Sequence, residues 1–119
     1  EPRSADVVAR RALVMVFQDR FKEALTEAEI ALELDANSAA AYAARGQAKL
    51  GIGGLSPEEE KAALADLTRA VDLAPNDYNS YVSRSEGYFQ TRKIQEAEAD
   101  LTKAIELAPA RHDLYYRRG

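Results

Sequence analysis

The feature that most constrains this chain is a segment that recurs after 34 residues. Residues 66–75 read D-L-T-R-A-V-D-L-A-P, and residues 100–109 read D-L-T-K-A-I-E-L-A-P. A third, more divergent copy at 27–36, E-A-E-I-A-L-E-L-D-A, keeps the order of alanine, branched apolar residue, acid and leucine. A fixed period of this length indicates an array of stacked units rather than one closed core.

Each period divides into two helical segments joined by a short polar turn. Apolar residues along 21–34 recur three or four positions apart, which is the spacing of a helical face. Ser4 and Ser38 are placed as N-caps of two segments and Asn76 and Asp77 as caps of a third, and the S-P-E-E sequence from Ser56 predicts a capping box at a fourth. Because so few residues join the paired segments, the helices of a pair must be antiparallel. The chain is therefore predicted to be all-α.

The first helix carries more apolar residues than a one-sided amphipathic helix needs. Val7 and Val8 are followed by the run L-V-M-V-F at 13–17. We expect this helix to be buried on more than one side, or to offer apolar surface to a partner.

Arginine occupies the same column of every unit, at Arg11, Arg45, Arg84 and Arg118. The first and last intervals are 34 residues and the middle one is 39, so the second unit carries five extra residues, which we place at 51–55 between its two helices. One domain over 1–119 is expected, with repeat 1 at about 5–38, repeat 2 at about 39–77, repeat 3 at about 78–111 and a partial repeat 4 at 112–119.

An acidic column accompanies the arginines, at Glu27, Asp66 and Asp100. Because the two columns recur together once per unit, we interpret them as ion pairs between paired helices; an arginine ladder for an acidic ligand is the alternative. Tyrosines also recur at fixed positions, and they are interpreted as packing residues with a polar tip. They are Tyr42, Tyr81, Tyr88 and Tyr115.

Composition excludes several classes of function. Sixteen basic and twenty acidic side chains give a net charge of -4, which provides no general attraction to nucleic acid or anionic membrane. No apolar run approaches the roughly 20 residues of a membrane span. With no cysteine and one histidine, no metal site is expected. The glycine-rich 51–54 lacks the lysine of a phosphate-binding loop. No convergent catalytic set is visible, so neither an enzyme nor a cofactor is expected.

Two units share a pattern of aromatic, small and proline positions. In the second unit these are Tyr42, Gly46, Ala63, Leu67, Ala70 and Pro75. In the third they are Tyr81, Tyr88, Ala97, Leu101, Ala104 and Pro109. With this pattern the chain resembles the tetratricopeptide-repeat family over nearly its whole length. The resemblance implies an α-solenoid of antiparallel helix pairs, wound as a right-handed superhelix.

In that family the first helices of successive pairs line a concave groove that binds an extended peptide or a partner helix. The resemblance places in this groove Arg10, Leu13, Val16, Phe17, Ala43, Gln47, Leu50, Asn79, Val82, Ser83, Glu86, Phe89, Tyr116 and Arg117. Family members that hold chaperone tails use a clamp of lysines, asparagines and an arginine. The matching columns here are Ala9, Leu13, Ala44, Asn79 and Ser83, so the clamp is absent. The expected function is a non-catalytic scaffold that binds an apolar or amphipathic peptide or helix of a protein partner.

The alternative is a structural segment of a larger multidomain protein. Repeat arrays usually end in a polar-faced capping helix, whereas this chain stops inside a helix at Gly119. The apolar face of the predicted helix at 94–107 is then only partly covered. Self-association through that end, or continuation into further repeats, would cover it. The opening E-P-R-S has no initiator methionine, as expected of a processed protein or of an excised piece of a longer one. The sequence specifies neither the partner nor the compartment.

Overall fold

Residues 4–108 are described by the computed structural model, and in this range the chain forms α-helices and no strand. The helices are α1 (Ala5–Phe17), α2 (Phe21–Leu34), α3 (Ala39–Ile52), α4 (Pro57–Leu73), α5 (Tyr78–Gln90) and α6 (Ile94–Leu107). The predicted all-α class is confirmed. The predicted fourth unit, residues 112–119, lies outside the described residues.

The helix starts follow the predicted capping residues. The side chains of Ser4, Ser38 and Asp77 each accept a backbone N–H from the first turn of α1, α3 and α5. At α4 the Glu59 N–H donates to Ser56 Oγ at 3.1 Å, and the Ser56 N–H donates to Glu59 Oε1 at 2.8 Å. Both bonds of the predicted capping box are therefore present.

The ends of α1 and α5 share one turn geometry, although neither has the glycine that usually serves it. Asp19 (φ 61°) and Arg92 (φ 65°) occupy the left-handed region directly after the helix C-cap. The Arg20 N–H donates back to the Met15 carbonyl at 2.8 Å, and the equivalent bond closes α5. This six-to-one bond is that of a Schellman motif, and it reverses the chain within three residues.

Packing proceeds from each helix pair to the next. The hairpins are α1–α2, α3–α4 and α5–α6; first helices also pack on one another, α1 on α3 and α3 on α5. The second helices α2 and α4 pack on the first helix of the following unit. Between residues 4 and 108 no other helix pair is closely packed, and α3 separates the backbone of α1 from that of α5. Such a regular step is the arrangement of a solenoid.

Small residues form the joints of this stack. Six alanines in the second helices, two in each unit at equivalent positions, have no exposed surface: Ala24, Ala31, Ala63, Ala70, Ala97 and Ala104. Leu67 is also fully buried, and it lies against both Gly46 of α3 and Gly87 of α5. A Cβ on Gly46 would lie 2.7 Å from the Ala63 carbonyl oxygen, and one on Gly87 would overlap Leu67 Cδ1. Glycine is therefore required where three helices converge.

The five extra residues of the second unit were expected to form a connector at 51–55. In the structure they are divided among α3, the connector and α4. Residues 51 and 52 are helical, and only residues 53–56 connect α3 to α4. α3 has 14 residues against 13 in α1, and α4 has 17 against 14 in α2. The capping box at Ser56 begins α4 about one turn early. Gly51 stays helical beneath the Phe21 ring, where a Cβ would lie 2.5 Å from the ring carbons.

Candidate functional site

An open cavity of about 470 Å³ lies between α1 and α5. Its lining comes from α1, α3 and α5, from the turn after α1, and from the first residue of α2. The lining residues are Val16, Phe17, Asp19, Phe21, Gln47, Ser85, Glu86, Phe89 and Gln90. Because α3 packs on both α1 and α5, it forms the floor between two walls. The cavity thus occupies the first-helix surface on which a groove is expected.

Five residues of the predicted groove meet at this cavity: Val16, Phe17, Gln47, Glu86 and Phe89. The two phenylalanines are exposed, with 67% of Phe17 and 37% of Phe89 accessible. Val16 and Gln47 are buried. The arrangement is a pair of exposed aromatic side chains, one on each wall, above a buried floor.

Four other predicted groove residues contribute mainly to helix packing. Ala43 and Ser83 are buried. Leu13 packs against the buried alanine cluster that joins α1, α2 and α3, and Val82 packs against the buried cluster of α6. Their columns face the groove in the family pattern, but here these side chains pack mainly against neighbouring helices.

Three further described residues of the predicted groove do not line the cavity. Arg10 is exposed and forms an ion pair with Asp6 at 3.0 Å. Asn79 is exposed in the first turn of α5, and Leu50 is half-buried in α3. Tyr116 and Arg117 lie outside the described residues.

Gln90 lies next to Phe89 at the end of α5, and the three other lining residues do not follow from the first-helix columns: Asp19, Phe21 and Ser85. Asp19 reaches the cavity because the Schellman turn places it there, and Phe21 because its ring rests on Gly51. The pairing of an aromatic residue with a helical glycine is the sequence signal that could have identified Phe21. Ser85 is fully buried, and its hydroxyl donates to the Val82 carbonyl at 2.7 Å.

A hydrogen bond across the cavity links α3 to α5. Gln47 Nε2 donates to Glu86 Oε1 at 3.0 Å. An ionised carboxylate only accepts hydrogen bonds, so the amide nitrogen must be the atom that faces it. Gln47 Oε1 is buried and has no hydrogen-bond partner among the described atoms. The bond fixes the position of one Glu86 oxygen, and it leaves a buried acceptor beside it.

As predicted, the described arginines of the repeated column form ion pairs between the two helices of each hairpin. Arg11 pairs with Glu27 at 2.8 Å, and Arg45 and Arg84 bind Asp66 and Asp100 through two hydrogen bonds each. The hydrogen bonds that these guanidinium groups donate to the carboxylates raise the pKa of Arg45 and of Arg84 above its ordinary value. The fourth arginine, Arg118, is beyond the described range. The three described guanidinium groups therefore bind acidic side chains of the paired helix.

The tyrosines of the repeat columns support these pairs. The Arg45 guanidinium lies 5.4 Å from the Tyr42 ring centre, and Arg84 lies 5.9 Å and 5.6 Å from Tyr81 and Tyr88. The rings are half-buried, and the Tyr81 hydroxyl donates to the carbonyl of Pro75 at 3.0 Å. The packing role is thus confirmed for these three, and the polar tip is seen to be hydrogen-bonded at Tyr81; Tyr115 is not among the described residues.

A second open cavity, of about 670 Å³, lies among α4, α5 and the start of α6. It is lined by both signs of charge, including Lys61, Arg69, Asp72 and Glu96. Within residues 4–108 no cluster of three histidine, cysteine or acidic side chains is arranged to hold a metal ion. The same range contains no helix with the length and hydropathy of a membrane span.

Comparisons with known proteins identify the fold through structure. No protein-family model and no curated protein sequence matches the chain. The first tetratricopeptide-repeat domain of human RPAP3 is 20% identical, with a TM-score of 0.77 over 99% of this chain and 89% of that one. The first such domain of Spaghetti (RPAP3), bound to the HSP90 peptide SRMEEVD, is 19% identical, with a TM-score of 0.74 over 99% and 90%.

A third similar structure is YrrB, described as a tetratricopeptide-repeat protein with an unusual peptide-binding site. It is 22% identical, with a TM-score of 0.70 over 98% of this chain and 57% of that chain. The stacked hairpins, the buried alanine columns and these neighbours agree on one architecture. The chain has the fold of a tetratricopeptide-repeat domain, an α-solenoid of helical hairpins.

Proposed function

We propose that this chain is a non-catalytic interaction module, whose groove along α1, α3 and α5 binds an apolar or amphipathic peptide or helix of a protein partner. The observation that carries the proposal is the pair Phe17 and Phe89, two exposed rings on opposite walls of one cavity. Exposed aromatic side chains that converge on a concave surface are typical of binding sites, because a ligand removes their apolar area from water. The polar groups of Gln47 and Glu86, together with Arg10 and Asn79 at the margins, would set the orientation of the bound segment.

The neighbours support a peptide ligand in general, since one of them is seen with a bound peptide and another is described by its peptide-binding site. The chemistry of the ligand is argued from this chain alone. The columns that form a carboxylate clamp in chaperone-tail binders hold no lysine or arginine here, and three of them, Ala9, Ala44 and Ser83, are buried. Burial of apolar side chains is therefore the favoured mode of recognition, rather than capture of a terminal carboxylate.

The test begins with peptides selected from a random display library on the wild-type protein. Their affinities are then measured for wild type, for Phe89→Ser and for the control Leu34→Ser, which truncates a similarly exposed apolar residue at the end of α2. An aromatic residue at the centre of an interface contributes about 2 kcal/mol, so Phe89→Ser should weaken binding at least about tenfold. Leu34→Ser should leave affinity unchanged. Equal binding by Phe89→Ser and wild type would remove the groove from the proposal.

Self-association is the second candidate, and a separate feature favours it. Val7 and Val14 lie two turns apart on α1, are 59% and 52% exposed, and do not line the cavity. A second copy packing on this stripe would cover it, as stacking does elsewhere in the array. Light scattering over a concentration series tests this, with Val14→Ser as the variant. A wild-type protein that stays monomeric at the highest concentration would contradict self-association.

A further inference from the structure

We propose that two copies of this chain pack antiparallel about a two-fold axis through one face of α1, and that this pairing competes with peptide binding for Phe17. The face, called here the α1 outer face, consists of Val7, Arg10, Val14 and Phe17. The inference rests on the proposed groove and on the proposed self-association. It specifies how the second copy is held and what the contact does to the groove.

The position of this face in the array is the first argument. The repeat intervals relate its four members to Ala41, Ala44, Ala48 and Gly51 of α3, and to Ser80, Ser83, Gly87 and Gln90 of α5. The three alanines of α3 are fully buried, and each shares a buried cluster with an alanine of α2. Phe21 of α2 lies against Gly51, and Leu67 of α4 lies against Gly87. In the second and third units this face is therefore the one on which the second helix of the preceding unit docks.

In the first unit the same face is apolar and exposed. Val7, Val14 and Phe17 are all more than half exposed, and they are three of the seven large apolar side chains that residues 4–108 expose. The end face of a repeat array is usually polar, so an apolar one indicates a contact. Because valine and phenylalanine replace the alanines and glycine of α3, a helix would pack farther from α1 than α2 does from α3, and would have room for large side chains of its own.

The spacing of the face identifies a second copy as the occupant. Residues 7, 10, 14 and 17 are separated by three, four and three positions, which is the spacing of a helix seam and reads the same in both directions. When two α1 helices lie antiparallel with the axis level with residue 12, Val7 faces Phe17 of the second copy, and Arg10 faces its Val14. A two-fold interface requires that every contact occurs twice in this way. Each member of the face is then covered by another member.

Arg10 is the charged member of the face, and its charge is balanced within its own copy. Its Nε donates to the two carboxylate oxygens of Asp6, one turn earlier, at 3.1 Å and 3.0 Å. Two copies can therefore approach without bringing an unbalanced pair of like charges together. The aliphatic part of the arginine adds apolar area to the contact, and its guanidinium group can lie over the Phe17 ring of the second copy.

The pair should be weak and reversible. The face has four residues in each copy, whereas a stable interface uses about 20–30 residues on each side. We expect a dissociation constant above about 1 μM.

Phe17 belongs to two surfaces, and this links the pairing to the groove. Its ring borders the cavity between α1 and α5, and it is also the last member of the α1 outer face. A ring packed against Val7 of the second copy is no longer available to a peptide in the cavity. By thermodynamic linkage, pairing should weaken peptide binding by the same factor by which the peptide weakens pairing.

The first experiment uses the absence of cysteine from the chain. Arg10→Cys and Val14→Cys proteins are mixed in equal amounts in a glutathione redox buffer, and the disulfide-linked dimers are identified by mass spectrometry. Random pairing gives about twice as much mixed dimer as either symmetric one. Because a disulfide requires Cβ atoms about 4 Å apart, the antiparallel pair should raise this ratio to at least about tenfold.

The matched control is a mixture of Glu29→Cys and Glu33→Cys, two exposed positions of α2 that are also four residues apart. It should give the random ratio.

The second experiment measures peptide affinity by isothermal titration calorimetry, with the display-selected peptides described above. The mixed dimer linked through positions 10 and 14 should bind at least about tenfold more weakly than the same protein after reduction, since an aromatic contact is lost. A dimer linked through positions 29 and 33 should bind equally well before and after reduction. This control shows that the loss comes from covering the α1 outer face and not from the linkage itself.

The outcomes separate this inference from the functions on which it rests. A random ratio, or an excess of symmetric dimers linked at position 14, would overturn the antiparallel pair even if light scattering shows self-association. Equal peptide affinity of the linked and reduced protein would overturn the competition. Peptides whose affinity falls in Val14→Ser while wild type stays monomeric would assign the face to a partner helix instead. Peptide binding that is insensitive to Phe89→Ser would overturn the groove and leave the disulfide result to decide the pair.

Discussion

Replacing the arginines of three successive ion pairs, one at a time, should destabilise the protein by amounts that follow burial. Arg84 is the extreme case, because its Nε and Nη2 each donate to Asp100 at 2.8 Å, and the two side chains are only 19% and 7% exposed. Arg84→Ala leaves that carboxylate buried without its cation. Breaking a buried pair in this way costs about 3 kcal/mol of unfolding free energy.

The other two ion pairs are more exposed or have a second cation nearby, so their loss should cost less stability. Arg45 binds Asp66 with the same two-bond geometry at 2.9 Å, but Lys49 lies 3.6 Å from the same carboxylate and can replace part of the lost charge. We expect Arg45→Ala to cost about 2 kcal/mol. The Arg11 side chain is 48% exposed and Glu27 is 17% exposed, so Arg11→Ala should cost less than about 1 kcal/mol.

Urea unfolding followed by circular dichroism measures all three variants, provided that the slope of the transition stays constant, since repeat arrays can lose two-state behaviour. The double variant Arg84→Ala/Asp100→Ala is the matched control. It should recover at least about 1 kcal/mol relative to Arg84→Ala, because no unpaired carboxylate remains. Equal losses in the three single variants, or no recovery in the double variant, would refute the argument from burial.

Two further predictions concern stability. A Cβ on Gly46 would lie 2.7 Å from the backbone oxygen of Ala63, so overpacking should outweigh the gain in helix propensity. We expect Gly46→Ala to lower the unfolding free energy measured in urea by about 1 kcal/mol. A variant as stable as wild type would contradict this expectation. Hydrogen bonds from Ser56 lower the pKa of Glu59 below 4.5, so the capping carboxylate stabilises the fold above its unfolded pKa and loses this effect as pH falls through its folded pKa. The Tm difference between wild type and Glu59→Gln should therefore shrink between about pH 6 and pH 3, and a constant difference would exclude this role.

The parts of the fold that were predictable from sequence depend on local or strictly repeated signals. Helix starts at Ser4, Ser38 and Ser56 follow from capping chemistry between residues three positions apart. The ion pair of Arg84 with Asp100 follows because both columns recur with the period of the array. Neither inference needs the geometry of the whole stack.

The cavity could be predicted only in part, because its composition depends on turns. Sequence columns locate Phe17 and Phe89 on the first helices, but Asp19 enters through a left-handed residue and Phe21 through its contact with Gly51. That contact also explains the connector: Gly51 suggests a loop by composition, whereas in the stack its missing side chain makes room for a ring. Residue type alone does not distinguish these two uses of glycine.

Because α3 separates the backbones of α1 and α5, the packing at Leu67 influences how the two helices are oriented. Among the described helices α3 connects the two walls of the cavity, and Leu67 lies where α3, α4 and α5 converge on two glycines. A change of side-chain volume at this joint would tilt α5 relative to α3 and would thereby change the width of the cavity. Evolution or design could thus widen or narrow the entrance from α4, whose Leu67 does not line the cavity.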